Sequence, residues 1–160
     1  MSSDAQTVVQ SSPLTASAEE VWERALTPEG ISDELRPWLR MTMPRALRGK
    51  SIDDVPLGEP LGRSWILLFG ALPVDYDDLA LAERGPGLRF LERSRLASMR
   101  SWQHEQIVEP VGEGYEITDR LTFELRRPLA AISGSSRMAR AIVAWLFRHR
   151  HRRLATHFGG

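Results

Sequence analysis

Residues 101–126 read SWQHEQIVEPVGEGYEITDRLTFELR, and the alternation within this stretch decides the fold. Val111-Gly112-Glu113-Gly114 is a turn signal between two runs of alternating polarity. It predicts one long antiparallel hairpin in which opposed positions sum to about 225. On one face Trp102 then opposes Phe123, His104 opposes Leu121 and Gln106 opposes Asp119. On the other, Gln103 opposes Thr122 and Glu105 opposes Arg120, where a cross-strand ion pair is expected. The first face also carries Val108, Ile117 and Leu125, so it is the buried one, with His104, Gln106 and Asp119 as a polar group inside it.

The flanking chain supplies a sheet and its cover. Gln6 to Leu14 is β-prone, with Pro13 confining it to a sheet edge or a strand end. Ser17-Ala-Glu-Glu20 is a capping box that starts a helix over 18–25. Thr27-Pro28-Glu29 starts a second helix, which must stop before Pro37. Between Trp38 and Pro60 the signals are mixed, with a strand near Leu39 to Met43 and then a polar loop. Arg63 to Leu72 reads as a strand covered on both faces. Val74 to Arg84 is its hairpin partner across a turn at Gly70 to Pro73, and Leu88 to Leu96 follows the Arg84-Gly-Pro-Gly87 turn. After a Pro/Gly/Ser-containing connection, a helix of about 21 residues, roughly 30 Å long, is predicted from Arg137 to His157, with Ser135 or Ser136 as its cap and Gly159-Gly160 closing it. Ile142, Trp145, Leu146 and His149, flanked by Phe147, Leu154 and Phe158, are read as the face it lays on the sheet.

Composition bounds the function. A chain of 160 residues with 42% hydrophobic content suits one domain, 1–160, with a real core. Lys plus Arg equals Asp plus Glu at 21 each, so no net field recommends nucleic acid or an anionic membrane as partner. The absence of cysteine removes disulfides and thiolate metal sites. The longest apolar run, Ala141 to Phe147, falls far short of the roughly 20 residues needed to span a bilayer, so no membrane insertion is expected. Met1 to Gln6 lacks the basic and apolar regions of a signal peptide, and a cytoplasmic location is expected.

The order strand, two short helices, about six or seven antiparallel strands and a long C-terminal helix is an α+β helix-grip arrangement. The chain resembles the SRPBCC superfamily, the START-like and polyketide cyclase-like proteins. Ala16 to Trp22 (ASAEEVW), Trp102-Gln-His104 with Ile117-Thr-Asp119-Arg-Leu121, and Phe147 to Leu154 carry the resemblance. It implies a curved sheet wrapped around the C-terminal helix with a ligand cavity between them. It supplies no catalytic motif that transfers residue by residue.

Among candidate site residues, His104 and Asp119 are diagonal neighbours on one hairpin face, close enough for an imidazole to donate to a carboxylate. Inside an apolar cavity such a pair can act as a general base. The competing expectation is a buried polar network completed by helix groups such as His149 and Arg153, and structural networks of this kind are the commoner case. Asp75, Asp77 and Asp78 lack the glycine-turned loop of a calcium site, and Asp75 with Asp77 reads as a solvated sheet face. His149 and His151, two apart on a helix, point to different sides and do not make a metal pair. The basic run Arg148 to Arg153 complements the negative end of the helix dipole. Trp65, Phe69, Phe90, Trp102, Phe123 and Trp145 are expected to line the cavity. The resulting expectation is a domain that binds a hydrophobic or aromatic small molecule, without cofactor or metal. A cyclase or dehydratase using His104 and Asp119 and a protein-interaction module are the alternatives, and oligomeric state stays open.

Overall fold

A computed structural model describes residues 5–15, 17–25, 28–42, 44–45 and 55–158. The elements are β1 (Gln6–Leu14), α1 (Ala18–Ala25), α2 (Pro28–Leu35), β2 (Leu39–Met41), β3 (Pro60–Leu68), β4 (Leu72–Arg84), β5 (Leu88–Leu96), β6 (Met99–Val111), β7 (Gly114–Leu125), a 3-10 turn (Leu129–Ala131) and α3 (Ser135–Phe158). The seven strands form one antiparallel sheet in the order β1-β7-β6-β5-β4-β3-β2. Register shifts in the β3–β4, β4–β5 and β6–β7 pairs bend it, as bulges do, into a curved sheet gripping α3.

The central hairpin has the expected register throughout: Trp102 opposes Phe123, His104 opposes Leu121, Gln106 opposes Asp119 and Glu105 opposes Arg120. The ion pair does not follow the register, because Glu105 is taken by Arg89 on β5 at 2.7 Å. At the start of α1 the Ser17 hydroxyl accepts from the Glu20 amide, the cap bond that the sequence predicts. The Thr27 cap, the terminal glycines and the loop at 46–54 lie outside the described residues.

Two apolar clusters fill the inner side of the sheet. One lies toward the β4–β5 and β6–β7 turns and joins Ala18, Val21 and Trp22 of α1 to Leu81, Phe90, Val108, Ile117 and Leu154. The α1 helix thus plugs that end of the grip, with Trp22 and Phe90 rings 6.0 Å apart. The other lies toward the β3–β4 and β5–β6 turns and joins Val8, Leu96, Leu121, Phe123, Leu125 and Val143, with Ile66, Trp102 and Phe147 partly buried against it.

Two expectations change here. The β3–β4 turn comes earlier than Gly70 to Pro73: the Ala71 amide donates to Leu68, with Phe69 and Gly70 both at positive φ. Leu68 pairs with Leu72, so Phe69, Gly70 and Ala71 form a three-residue loop, in which the positive φ suits glycine and strains phenylalanine. On α3, Val143, Phe147, Arg150 and Leu154 turn inward, while Ile142 and Trp145 face outward at 52% and 37% exposure. The helix carries two apolar stripes, and an arginine in the true inner stripe disguises it. Nothing is described of the Phe158 side chain.

Candidate functional site

A belt of polar side chains crosses the inner face of the sheet between the two apolar clusters. Its hub is Asp119, fully buried on β7. One carboxylate oxygen accepts from His104 Nε2 at 2.6 Å. The other accepts from Arg150 Nη1 at 2.9 Å and from His151 Nε2 at 2.7 Å. His104 and Asp119 therefore meet, as the hairpin register requires. Their helix partners are Arg150 and His151, in place of the expected His149 and Arg153. Those two side chains bind backbone carbonyls of the α2 region, His149 to Arg36 at 2.5 Å and Arg153 to Asp33 at 2.8 Å.

Arg150 holds the belt to the helix. Its guanidinium also donates to Glu34 at 2.6 Å and, through Nη2, to Gln106 Oε1 at 3.0 Å. Since arginine only donates, Gln106 must present its oxygen, which leaves Gln106 Nε2 without a partner among the described residues. Behind His151, Nδ1 lies 2.7 Å from the Ser12 hydroxyl on β1. Burial alone would raise the Asp119 carboxyl. The charges of Arg150 and His104, with hydrogen bonds from both histidines, outweigh it and hold the group well below the usual carboxylate range. The sequence signal for these partners was weak: Glu34, Gln106 and Arg150 are polar residues on faces that are otherwise apolar, and only a buried counterpart explains them.

The His104 ring stands edge-on to Phe90 and Phe147, with centroids 5.3 Å and 5.4 Å away. With Nε2 committed to Asp119, Nδ1 has no partner among the described residues. Trp102 faces inward beside it, 5.9 Å from Phe123, yet is only half-buried.

Of the six aromatic residues expected to line a cavity, Phe90, Trp102 and Phe123 face inward. Trp65 does not. It lies on the outer face at 43% exposure, against Tyr76 and under the Arg63 guanidinium. Phe69 sits on the β3–β4 turn at 66% exposure. Trp145 is on the outward stripe of α3, packed edge-on against Trp38 at 5.1 Å. The reason is common to all three: aromatic content alone does not distinguish the inner face of a strand or helix from the outer one.

Asp77 also departs from expectation. It is 4% exposed on the inner face of β4, with Oδ1 unpartnered among the described residues. Burial, and then the Glu92 carboxylate, push it up to about 10. Asp75 is held by the Ser98 amide and hydroxyl. Neither belongs to a solvated face. Among the described residues no group of three His, Asp or Glu side chains could hold a metal ion.

One family model matches residues 12–158, that of the family described as Domain of unknown function (DUF8410). The chain belongs to that family. No curated protein matches it in sequence. Solved structures do match in fold. A START superfamily protein from Mycobacterium smegmatis superposes with a TM-score of 0.66 at 12% identity, over 95% of this chain and 96% of that one. The Zhui aromatase/cyclase from a Streptomyces species gives 0.66 at 13% identity, over 96% and 93%. Ginseng major latex-like protein 151 from Panax ginseng gives 0.59 at 9% identity, over 98% and 99%. The DUF8410 chain thus has an SRPBCC-type helix-grip fold, and at these identities the likeness is one of fold.

Proposed function

We propose that this DUF8410 domain binds an apolar or aromatic small molecule bearing an oxygen acceptor, between the inner face of the sheet and α3. The observation that carries this reading is the half-buried, inward-facing Trp102 beside His104, whose Nδ1 is left over once Asp119 has taken Nε2. Phe90, Trp102 and Phe123 supply an apolar wall, which is where small-molecule sites gain most of their contact area. Gln106 Nε2 supplies a donor, and His104 Nδ1, once Nε2–H is given to Asp119, an acceptor. A buried donor without an acceptor costs about 1 to 3 kcal/mol, so an oxygen placed at Gln106 Nε2 is favoured over a hydrocarbon of the same shape. The fold relatives, one an aromatase/cyclase and one a START superfamily protein, are consistent with such a ligand class.

Native mass spectrometry of protein purified from its own host tests the reading. A bound, oxygen-bearing hydrophobic molecule is expected, and organic extraction should lower the melting temperature until an aromatic or fatty compound is added back. Protein that carries nothing, and is not stabilised by any such compound, would rule the carrier reading out. A second reading, proton transfer by His104 in a cyclase- or dehydratase-type reaction, is favoured by the same Asp119–His104 geometry, which fixes the ring and leaves one nitrogen for a substrate. His104→Gln separates the two: a carrier keeps most of its affinity, because the apolar wall is unchanged and glutamine still offers a polar group, whereas an enzyme loses turnover.

A further inference from the structure

Charge in this chain is balanced in total and segregated along the sequence. From Arg126 onward there are eight arginines and no acidic residue, so this segment carries a formal +8 and the preceding 125 residues −8. The outward stripe of α3 within it is apolar: Met138, Ile142 and Trp145, at spacing i, i+4, i+7, are 67%, 52% and 37% exposed. Arg137 and Arg148 lie along one side of the stripe, both exposed and without an ion pair among the described residues. Trp145 meets Trp38, and Trp38 meets Phe69 with centroids 6.1 Å apart, so the apolar surface continues onto the strained β3–β4 turn. An aromatic residue held exposed at positive φ is a costly conformation that packing alone does not explain.

We infer that this surface, Met138, Ile142, Trp145 and Phe69 bordered by Arg137 and Arg148, docks on an anionic lipid membrane, with α3 lying along the bilayer surface. Exposed apolar side chains bordered by arginine fit an interface in which hydrocarbon lies beneath negatively charged headgroups. A second copy related by a twofold axis fits less well, because it would present the same surface, whose helix offers no carboxylate to meet Arg137 and Arg148. No described helix is long and apolar enough to cross a membrane, and the arrangement proposed is peripheral. It does not depend on whether the interior carries a ligand.

Vesicle flotation of the full chain tests this, with phosphatidylcholine vesicles set against vesicles containing about one-third phosphatidylglycerol. Binding to the anionic vesicles is expected, weakening as salt is raised. Arg137→Gln with Arg148→Gln should weaken it roughly 25-fold, at about fivefold per arginine, and Ile142→Asp at least about tenfold. Both variants should keep the wild-type denaturation midpoint, since the residues are on the surface. Equal binding to neutral vesicles, or none to either, would overturn the proposal. So would a concentration-dependent dimer in sedimentation that Ile142→Asp dissociates while vesicle binding is absent.

Discussion

Asp119 on β7 and Asp77 on β4 both lie buried on the inner face of one sheet, with β6 and β5 between them. Asp119 has Arg150, His104 and His151 around it and is held ionised. Asp77 has Glu92 as its charged neighbour and is held protonated. The difference lies in where α3 reaches. The helix packs along β1 and against α2, and its cations serve the β7 side of the belt while the β4 side receives none of them. A buried carboxylate is tolerated where a cation and hydrogen-bond donors converge on it, and otherwise takes up a proton.

The largest effect should come from removing the cation. Arg150→Met leaves Asp119 and Glu34 buried without their guanidinium, and a loss of about 3 to 5 kcal/mol in urea denaturation is expected. A loss below about 1 kcal/mol would mean that the histidines alone suffice. The acid limb sharpens the point. A carboxylate with a depressed folded-state pKa contributes its full stability above the unfolded value near 4, and loses it as pH falls toward the folded value. Acid unfolding of the wild type should therefore begin below about pH 4, and Arg150→Met should shift it upward.

Asp77 has the opposite sign. Its folded-state pKa is about 10, above the unfolded value, so between about pH 4 and 10 the folded state holds a proton that the unfolded state has released. Stability must fall with rising pH across that window, by at most about 1.4 kcal/mol per unit. Asp77→Asn should remove this slope and be more stable than wild type at pH 8, with a smaller gain at pH 5. Chemical denaturation at the two pH values checks it, and equal slopes would show that Asp77 is ionised in the fold.

The smallest effects concern the outward stripe of α3. Ile142→Ala should change stability by no more than about 0.5 kcal/mol, as an ordinary surface substitution does. Trp145→Ala should cost about 1 kcal/mol, through its edge-on contact with Trp38. Leu154→Ala on the inward stripe, fully buried, should cost about 2 to 5 kcal/mol. If Ile142 and Leu154 prove equally costly, the two faces of the helix are not distinct.

The sequence by itself determined the order of elements along the chain, the cap of α1, the C-terminal helix and the residue-by-residue register of the central hairpin. It did so because strand alternation has a period of two and Gly112 sets the turn, so a slip by one residue would expose Trp102, Leu121 and Phe123 together. The meeting of His104 with Asp119 was legible for the same reason. Only the tertiary structure decided which stripe of α3 faces the sheet and which side of β3 and β4 is inner. Ile142 and Trp145 look like core, and Arg150 does not. Burying Arg150 is favourable only because Glu34, Gln106 and Asp119 converge on it from three other elements, and no local pattern in the chain records that convergence. Asp77 looks solvated for the matching reason: its alternation with Asp75 resembles a wet face until the curvature of the sheet closes over it.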